Sequence, residues 1–177
     1  KPQNLEVWPI ASSGDCLFEA LCHQLQTNNI AISTNSQDEN EINHKTLRKL
    51  VIDHIRNQWE FYQNYITEED VDEGKDKLGQ ELVEVYCQKM SALGQWGGHI
   101  DIVAVSKLVS RPVKVISAKD DDRIIGEEEF KTEPLVVTYH QHYYTLGAHY
   151  NSVVKIQLCM KVCFQQKQSQ IAQFNSG

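Results

Sequence analysis

The stretch that decides the fold is Ser12–Ala20, which reads SSGDCLFEA. A turn containing Gly14 leads there into apolar residues that repeat at helical spacing toward Leu25. The pattern predicts a helix from Cys16 to about Gln26, with the cysteine in its first turn. Free backbone N–H groups and the helix macrodipole favour an anion at that position, so we expect the thiolate to be stabilised. A cysteine beside apolar neighbours is equally typical of core packing.

A histidine and an asparagine stand near the other end of the chain. His149 and Asn151 open an alternating apolar segment, and residues two apart on a strand point to the same side. An asparagine carbonyl that accepts from one ring nitrogen would orient the imidazole and leave the other nitrogen for a thiol. His149 follows Cys16 by 133 residues, within the roughly 130–150 typical of papain-type enzymes. The three residues together predict a Cys-His-Asn triad.

A third motif separates two segments of helical spacing, Leu78–Leu93 and His99–Val109. It reads Trp96, Gly97 and Gly98. Consecutive glycines allow another backbone to approach closely, and tryptophan offers a large anchor. A tryptophan that fills the core fits the same letters equally well.

In this order and spacing, the motifs GDCLF (14–18), WGG (96–98) and HYNSV (149–153) resemble the signature blocks of ovarian-tumour (OTU) type cysteine proteases, most of which are deubiquitinases. The resemblance covers residues 5–156, nearly the whole chain. It implies an α+β, papain-like OTU fold with a small central β-sheet flanked by helices. One position departs from the family pattern, because Ser13 stands where an aspartate usually precedes the nucleophile by three residues, and this bears on the loop that forms the oxyanion hole.

The resemblance also implies roles for the motif residues. The expected function is hydrolysis of isopeptide bonds after the C-terminal Gly-Gly of ubiquitin, because a narrow channel would admit only residues without side chains. The expected site comprises catalytic Cys16, His149 and Asn151, backbone oxyanion donors at Gly14, Asp15 and Cys16, and substrate-binding residues Trp96, Gly97, Gly98 and Tyr150.

Two alternatives stay open at this point. One is a catalytically silent ubiquitin-binding module, and the other is a papain-like peptidase that acts on ordinary peptides. The expected partners are ubiquitin and polyubiquitin chains, with the chain acting as a monomer. No cofactor is expected. His140 and His142 alternate as metal ligands do, but Cys159 and Cys163 lack the spacing of a zinc site, so we expect no metal.

Composition sets the remaining limits. The 177 residues fit one domain over 1–157 and a polar tail or terminal helix over 158–177, and the 41% apolar content agrees with a globular core. A net charge of −7 without a Lys/Arg cluster argues against nucleic acid and, weakly, favours a basic partner. An odd number of cysteines, five, without signal peptide or long apolar stretch predicts a reducing compartment and no membrane. The expected location is cytoplasmic, or the host cytosol for a microbial effector or viral protein.

The same periodicities predict the remaining elements. They are an extended lead-in over 5–10, a polar loop over 27–43, one long helix from Asn43 through Tyr62, a helix start at Thr67–Asp70, a hairpin-like turn at 120–122, and strands over 111–116, 135–139 and 150–156.

Overall fold

The computed structural model describes residues 4–32, 42–74, 76–117, 119–141 and 147–156. The strands within these ranges are β1 (Leu5–Trp8), β2 (Val113–Ser117), β3 (Arg123–Ile125), β4 (Leu135–His140) and β5 (His149–Lys155). The helices are α1 (Cys16–Thr27), α2 (His44–Asn57), α3 (Trp59–Tyr62), α4 (Gly79–Met90) and α5 (His99–Val109).

The described strands form one mixed sheet in the order β1-β5-β4-β2-β3. β2 and β4 run parallel, and the other neighbouring pairs are antiparallel. β1 pairs with β5, so the beginning of the described chain lies beside its end. This pairing places the segment that follows β1, and therefore the start of α1, next to the strand that carries His149.

Gln24 ties α1 to the centre of the sheet. Its side chain is 2% exposed and donates to Ser152 Oγ and to Val153 O, both at 2.7 Å. Its carbonyl oxygen accepts from Val136 N–H at 2.8 Å. One buried amide therefore forms hydrogen bonds with polar groups on β4 and β5, and it fixes the position of α1 on the sheet.

The predicted long helix is wrong in one respect, because it divides at Gln58 into α2 and α3. Apolar residues spaced by four drift about 40° around a helix at each step, since a turn takes roughly 3.6 residues. Leu47 and Ile55 are fully buried, but Trp59 has drifted to a partly buried position. The break at Gln58 lets Tyr62 return to the core, where it is fully buried.

Two further expectations are corrected. Thr67–Asp70 forms a turn, in which Thr67 N–H and Oγ1 both donate to Asp70 Oδ2 at 2.8 Å, but no helix follows. The residues after this turn lack the apolar periodicity that stabilises a helix. Gly74 follows with φ +69°. β3 was not predicted as a strand, because its three residues are too few to show alternation.

The expected α+β class, with a central sheet and flanking helices, is confirmed. The polar loop over 27–43 is described only at its two ends, and the predicted tail over 158–177 lies outside the described residues, as does His142. Across the described ranges, every helix is too short or too polar to cross a membrane.

The contacts of Gln24 generate a test of the fold. We expect Gln24→Ala to lower the free energy of unfolding by about 1–3 kcal/mol, because it removes three hydrogen bonds and leaves the partly buried Val136 N–H without an acceptor. Urea unfolding would measure the change. Gln26→Ala, at an exposed position on the same helix, is the control and should stay within about 0.5 kcal/mol of the wild type. Equal stabilities for the two variants would contradict the role given to Gln24.

Candidate active site

Cys16 is the first residue of α1 and is 7% exposed. Its thiol takes part in hydrogen bonding with the backbone of Tyr150, on β5. The structure therefore brings the predicted nucleophile beside the residue that directly follows His149. This approach joins two segments separated by more than 130 residues of sequence.

The expected stabilisation of the thiolate is not the net result. Burial raises the pKa of the Cys16 thiol above its ordinary value, and the nearby charge of Glu19 acts in the same direction. Backbone hydrogen bonds from Tyr150 and Leu17 lower the pKa, as expected at a helix start, but their effect is smaller. The helix terminus therefore acts in the predicted direction, and desolvation outweighs it.

His149 and Asn151 form the hydrogen bond that their spacing predicts. His149 Nε2 lies 3.1 Å from Asn151 Oδ1, and both residues are buried. Asn151 Oδ1 also accepts from Ile10 N–H at 2.8 Å. The amide is thus fixed by the segment between β1 and α1, and it in turn restrains the orientation of the His149 ring.

The turn before Cys16 uses two of the three predicted oxyanion donors internally. Asp15 N–H donates to Ser13 Oγ, and Cys16 N–H donates to Ser13 O, each at 3.2 Å. Ser13 Oγ in turn donates to Glu19 Oε1 at 3.3 Å. The serine at the departing position therefore supports the turn by accepting a backbone hydrogen bond, but it also occupies groups that a substrate oxygen would need.

A cleft of about 690 Å³ opens next to Cys16. All four predicted substrate-binding residues line it. Its opposite wall is the sheet, where the rings of Tyr139 and Tyr150 lie 5.0 Å apart between centroids. Four charged residues of the β2–β3 region also line the cleft: Lys119, Asp120, Asp121 and Arg123.

Trp96 stands between this cleft and a second cavity of about 190 Å³ that reaches His149. The indole is 54% exposed, so the core-filling alternative for Trp96 is wrong. Its ring packs against Gly147, where a Cβ atom would collide with it and where φ is +90°. Trp96 and Gly147 together therefore form the boundary between the two cavities.

Asp101 supports the turn at Gly97 and Gly98 from within the core. This residue is fully buried, and its Oδ2 accepts from Gly98 N–H at 2.8 Å and from Tyr86 OH at 3.2 Å. Burial raises the pKa of Asp101 to about 6, although both hydrogen bonds favour its ionised form. Gly97 lies so close to Leu17 and Phe18 that a side chain would not fit there.

Two charged residues near Cys16 were missed by the sequence interpretation. Both residues fall within helical segments predicted from the sequence, which assigns a role to neither. Arg48 is 2% exposed and forms a buried ion pair with Asp15. A polar residue inside an otherwise apolar helical stripe was the available signal for Arg48, and Asp at the third position of a helix after glycine was the signal for Asp101. Within the described residues, no cluster of potential metal ligands occurs.

Comparison with known proteins gives one family. The sequence model described as "OTU-like cysteine protease" matches residues 11–150. "Deubiquitinase OTUD6B" of Xenopus laevis is 29% identical over 154 residues, which cover 87% of this chain and 48% of that protein. "Ubiquitin thioesterase otu2" of Schizosaccharomyces pombe is 29% identical over 147 residues, covering 82% of this chain and 44% of that protein. The chain thus spans about half the length of these curated relatives.

Solved structures agree on the fold. An ovarian tumour domain in complex with ubiquitin superposes with a TM-score of 0.59 at 20% identity, covering 85% of this chain and 69% of that one. An OTU deubiquitinase from Wolbachia pipientis bound to ubiquitin gives a TM-score of 0.57 at 13% identity, covering 87% and 98%. The expected OTU fold is confirmed.

The environment of Asp101 predicts how stability depends on pH. Its pKa is about 6 in the folded protein against 3.8 for the free side chain. A carboxyl group with a raised folded-state pKa stabilises the fold below the unfolded value, and this stabilisation is lost as the pH rises through 6. Relative to Asp101→Asn, we expect the free energy of unfolding of the wild type to fall by about 2 kcal/mol from pH 4 to pH 7.

Urea unfolding at several pH values measures this difference. Asp72→Asn, at an exposed side chain, is the control and should run parallel to the wild type. Parallel curves for wild type and Asp101→Asn would contradict the assignment.

Proposed function

Because the chain belongs to the family of OTU-like cysteine proteases, we propose that it is a cysteine-type deubiquitinase, which hydrolyses isopeptide bonds after the C-terminal Gly-Gly of ubiquitin. The relatives named as a deubiquitinase and a ubiquitin thioesterase support this substrate. Ubiquitin in complex with domains of the same fold supports it further.

One observation carries the proposal. Asn151 Oδ1 is hydrogen-bonded to Nε2 of His149. The backbone of Tyr150, which follows His149 on β5, is hydrogen-bonded to the thiol of Cys16. A nucleophile, a base and a group that orients the base are the parts of a cysteine-protease triad. A cleft lined by glycine and tryptophan opens beside them.

The first chemical step is a proton transfer from Cys16 to Nδ1 of His149. Burial raises the pKa of the Cys16 thiol, so this proposal starts from the protonated thiol. The sulfur then attacks the carbonyl carbon of the last glycine, and the imidazolium donates its proton to the leaving lysine amine. Water attacks the thioester with His149 again acting as base, which restores the thiol.

The tetrahedral intermediate needs donors for its oxyanion. We assign this role to the backbone N–H groups of the Gly14–Cys16 turn, each worth roughly 2.7–4 kcal/mol in other hydrolases. Since two of them are bonded to Ser13 in the free protein, the substrate oxygen must replace Ser13 as their acceptor. Substrate binding and completion of the oxyanion hole are therefore coupled in this proposal.

The cleft has space for an extended tail beside the glycine turn. Gly98 lines it, and a Cβ atom at Gly98 would meet no protein atom within 4 Å. The space there is open, and in this proposal the extended glycine tail of ubiquitin occupies it. In this proposal, the bond to be cut lies at the boundary formed by Trp96 and Gly147, next to the cavity that reaches His149.

We extend the proposal to polyubiquitin chains as substrates and to action as a monomer in the cytosol, or in the host cytosol for a microbial or viral protein. Neither a nucleic acid nor a membrane is a proposed partner. Cys16, Cys22 and Cys87 are free and buried, which agrees with a reducing compartment.

The proposal predicts covalent capture. Ubiquitin with a thiol-reactive group at its C-terminus should form an adduct with the wild type, and Cys16→Ala should form none while still binding ubiquitin. Adduct formation on gels and binding by calorimetry measure the two properties. Cys22→Ala is the matched control, because this buried thiol has a pKa of about 12. An adduct in Cys16→Ala would reject the nucleophile.

Substitutions of His149 and Asn151 should lower kcat by different amounts. We expect His149→Ala to lower kcat for di-ubiquitin more than Asn151→Ala does, because the asparagine acts only by orienting the ring. The time course of di-ubiquitin cleavage measures both. Full activity in both variants would remove these residues from the mechanism.

The glycine turn supplies a matched pair of variants. Gly98→Ala adds a methyl group in open cleft space, so we expect kcat/KM for a ubiquitin fluorophore to fall about tenfold with little change in melting temperature. Gly97→Ala pushes against Leu17 and Phe18, so it should lower the melting temperature as well. Unchanged kcat/KM in Gly98→Ala would show that the tail does not pass this residue.

A silent ubiquitin-binding module remains the second candidate, favoured by the raised pKa of Cys16 and the occupied donors of the turn. It predicts association with the reactive ubiquitin but no adduct. A peptidase for ordinary peptides would instead cleave a short peptide fluorophore at least as fast as the ubiquitin fluorophore.

A further inference from the structure

Arg48 joins three segments around the start of α1. Its Nε and Nη2 donate to Asp15 Oδ1 at 3.1 and 2.6 Å. Its Nη1 donates to Met90 O at 2.9 Å, and Nη2 also donates to Gln95 O at 2.6 Å. One guanidinium on α2 thus binds the residue before Cys16, the end of α4 and the residue before Trp96.

The segments that Arg48 joins also contact each other. Asp15 Oδ2 accepts from Gly94 N–H at 3.0 Å, and Gly14 packs so tightly on the Gly94 carbonyl that a side chain could not fit between them. The turn that carries the nucleophile and the loop that carries Trp96 are therefore one unit, with Arg48 at its centre.

Arg48 also neutralises a carboxylate next to the nucleophile. Burial alone would raise the pKa of Asp15, but hydrogen bonds from Gly94 and Arg48 hold it below its ordinary value, so the group is ionised. Without a partner, this negative charge would oppose formation of a thiolate at the next residue. The guanidinium therefore affects both the position and the electrostatics of Cys16.

We propose that Arg48 is a positioning residue for the nucleophile, which acts through Asp15 and the backbone of Gln95 to hold Cys16 in reactive register. This inference rests on the proposed function, because it assigns a role in the same reaction. Arg48 itself is 2% exposed and cannot reach ubiquitin. Its effect must therefore fall on kcat and on the thiol rather than on KM.

The test compares Arg48→Met, Arg48→Lys and the double variant Asp15→Asn/Arg48→Met. One readout is kcat and KM for a ubiquitin fluorophore. The other is the pH at which alkylation of Cys16 by iodoacetamide is half-maximal, followed by mass spectrometry of the peptide that contains it. Arg56→Met is the control, because this arginine lies on the same helix but pairs with Asp53 and Glu84 at the surface.

For Arg48→Met we expect kcat to fall about 100-fold, as small displacements of reacting groups produce, with KM changed less than about twofold. The alkylation midpoint should rise by roughly one pH unit. Arg48→Lys should keep the wild-type midpoint and regain part of kcat. The double variant should restore the midpoint, since both charges are gone, while its kcat stays low. Arg56→Met should match the wild type.

Several outcomes would overturn the inference. These are a wild-type kcat in Arg48→Met, a loss expressed mainly in KM, or an unmoved alkylation midpoint, which would indicate a purely structural role. If Arg48→Met fails to fold, the double variant decides, because replacing both members of a buried ion pair is often tolerated, and wild-type kcat in it rejects the role. A wild type that leaves ubiquitin uncut while the midpoint still moves in Arg48→Met would reject the proposed function and keep the influence of Arg48 on the thiol.

Discussion

The buried ion pair between Arg48 and Asp15 is the constraint on which the site depends. Removing two ionised groups from water is costly, and it is tolerated only where the groups satisfy each other and their remaining hydrogen-bonding capacity. Here the guanidinium satisfies one carboxylate oxygen and two backbone carbonyls, and it lies 4.1 Å from the centroid of the Phe18 ring. Phe18 is itself fully buried. The charge is thus enclosed by α1, α2 and the loop after α4, and none of these can shift independently.

Asp101 is a second buried charged residue, and fewer hydrogen bonds compensate for its burial. Its Oδ2 is hydrogen-bonded, while Oδ1 is among the buried atoms that have no partner within the described residues. The carboxylate is therefore held at a cost, which its raised pKa expresses. What the protein gains is a rigid glycine turn at the edge of the cleft. Local destabilisation at one residue thereby shapes the surface that substrate would contact.

The parts of the site that could be predicted from sequence are those fixed by local geometry. A glycine turn before an apolar helix places Cys16 at a helix start, and strand alternation puts His149 and Asn151 on one side. Both follow from the backbone periodicities of about 3.6 residues in a helix and 2 in a strand. The contact between the two segments came from spacing and family resemblance, because no local pattern brings residue 16 to residue 149.

What could not be predicted depends on contacts distant in sequence. Arg48 is 33 residues from Asp15, and although its place in the apolar stripe of α2 hints at burial, no local pattern identifies its partner. The upward shift of the Cys16 pKa could not be predicted either. The helix start is visible in the sequence, but the depth to which the thiol is buried is not. The contact of the Trp96 ring with Gly147 likewise joins residues that are 51 positions apart in the sequence.

The pairing of β1 with β5 has a consequence for biosynthesis. Asn151 is held by the Ile10 N–H, so the proposed triad requires both extremes of the described chain at once. A ribosome adds roughly 5–20 residues each second, so the cysteine emerges on the order of ten seconds before the histidine. During that interval the nascent polypeptide carries the proposed nucleophile without the proposed base. If the proposed mechanism holds, the domain stays inactive until residues 149–151 have been translated and β5 has paired with β1.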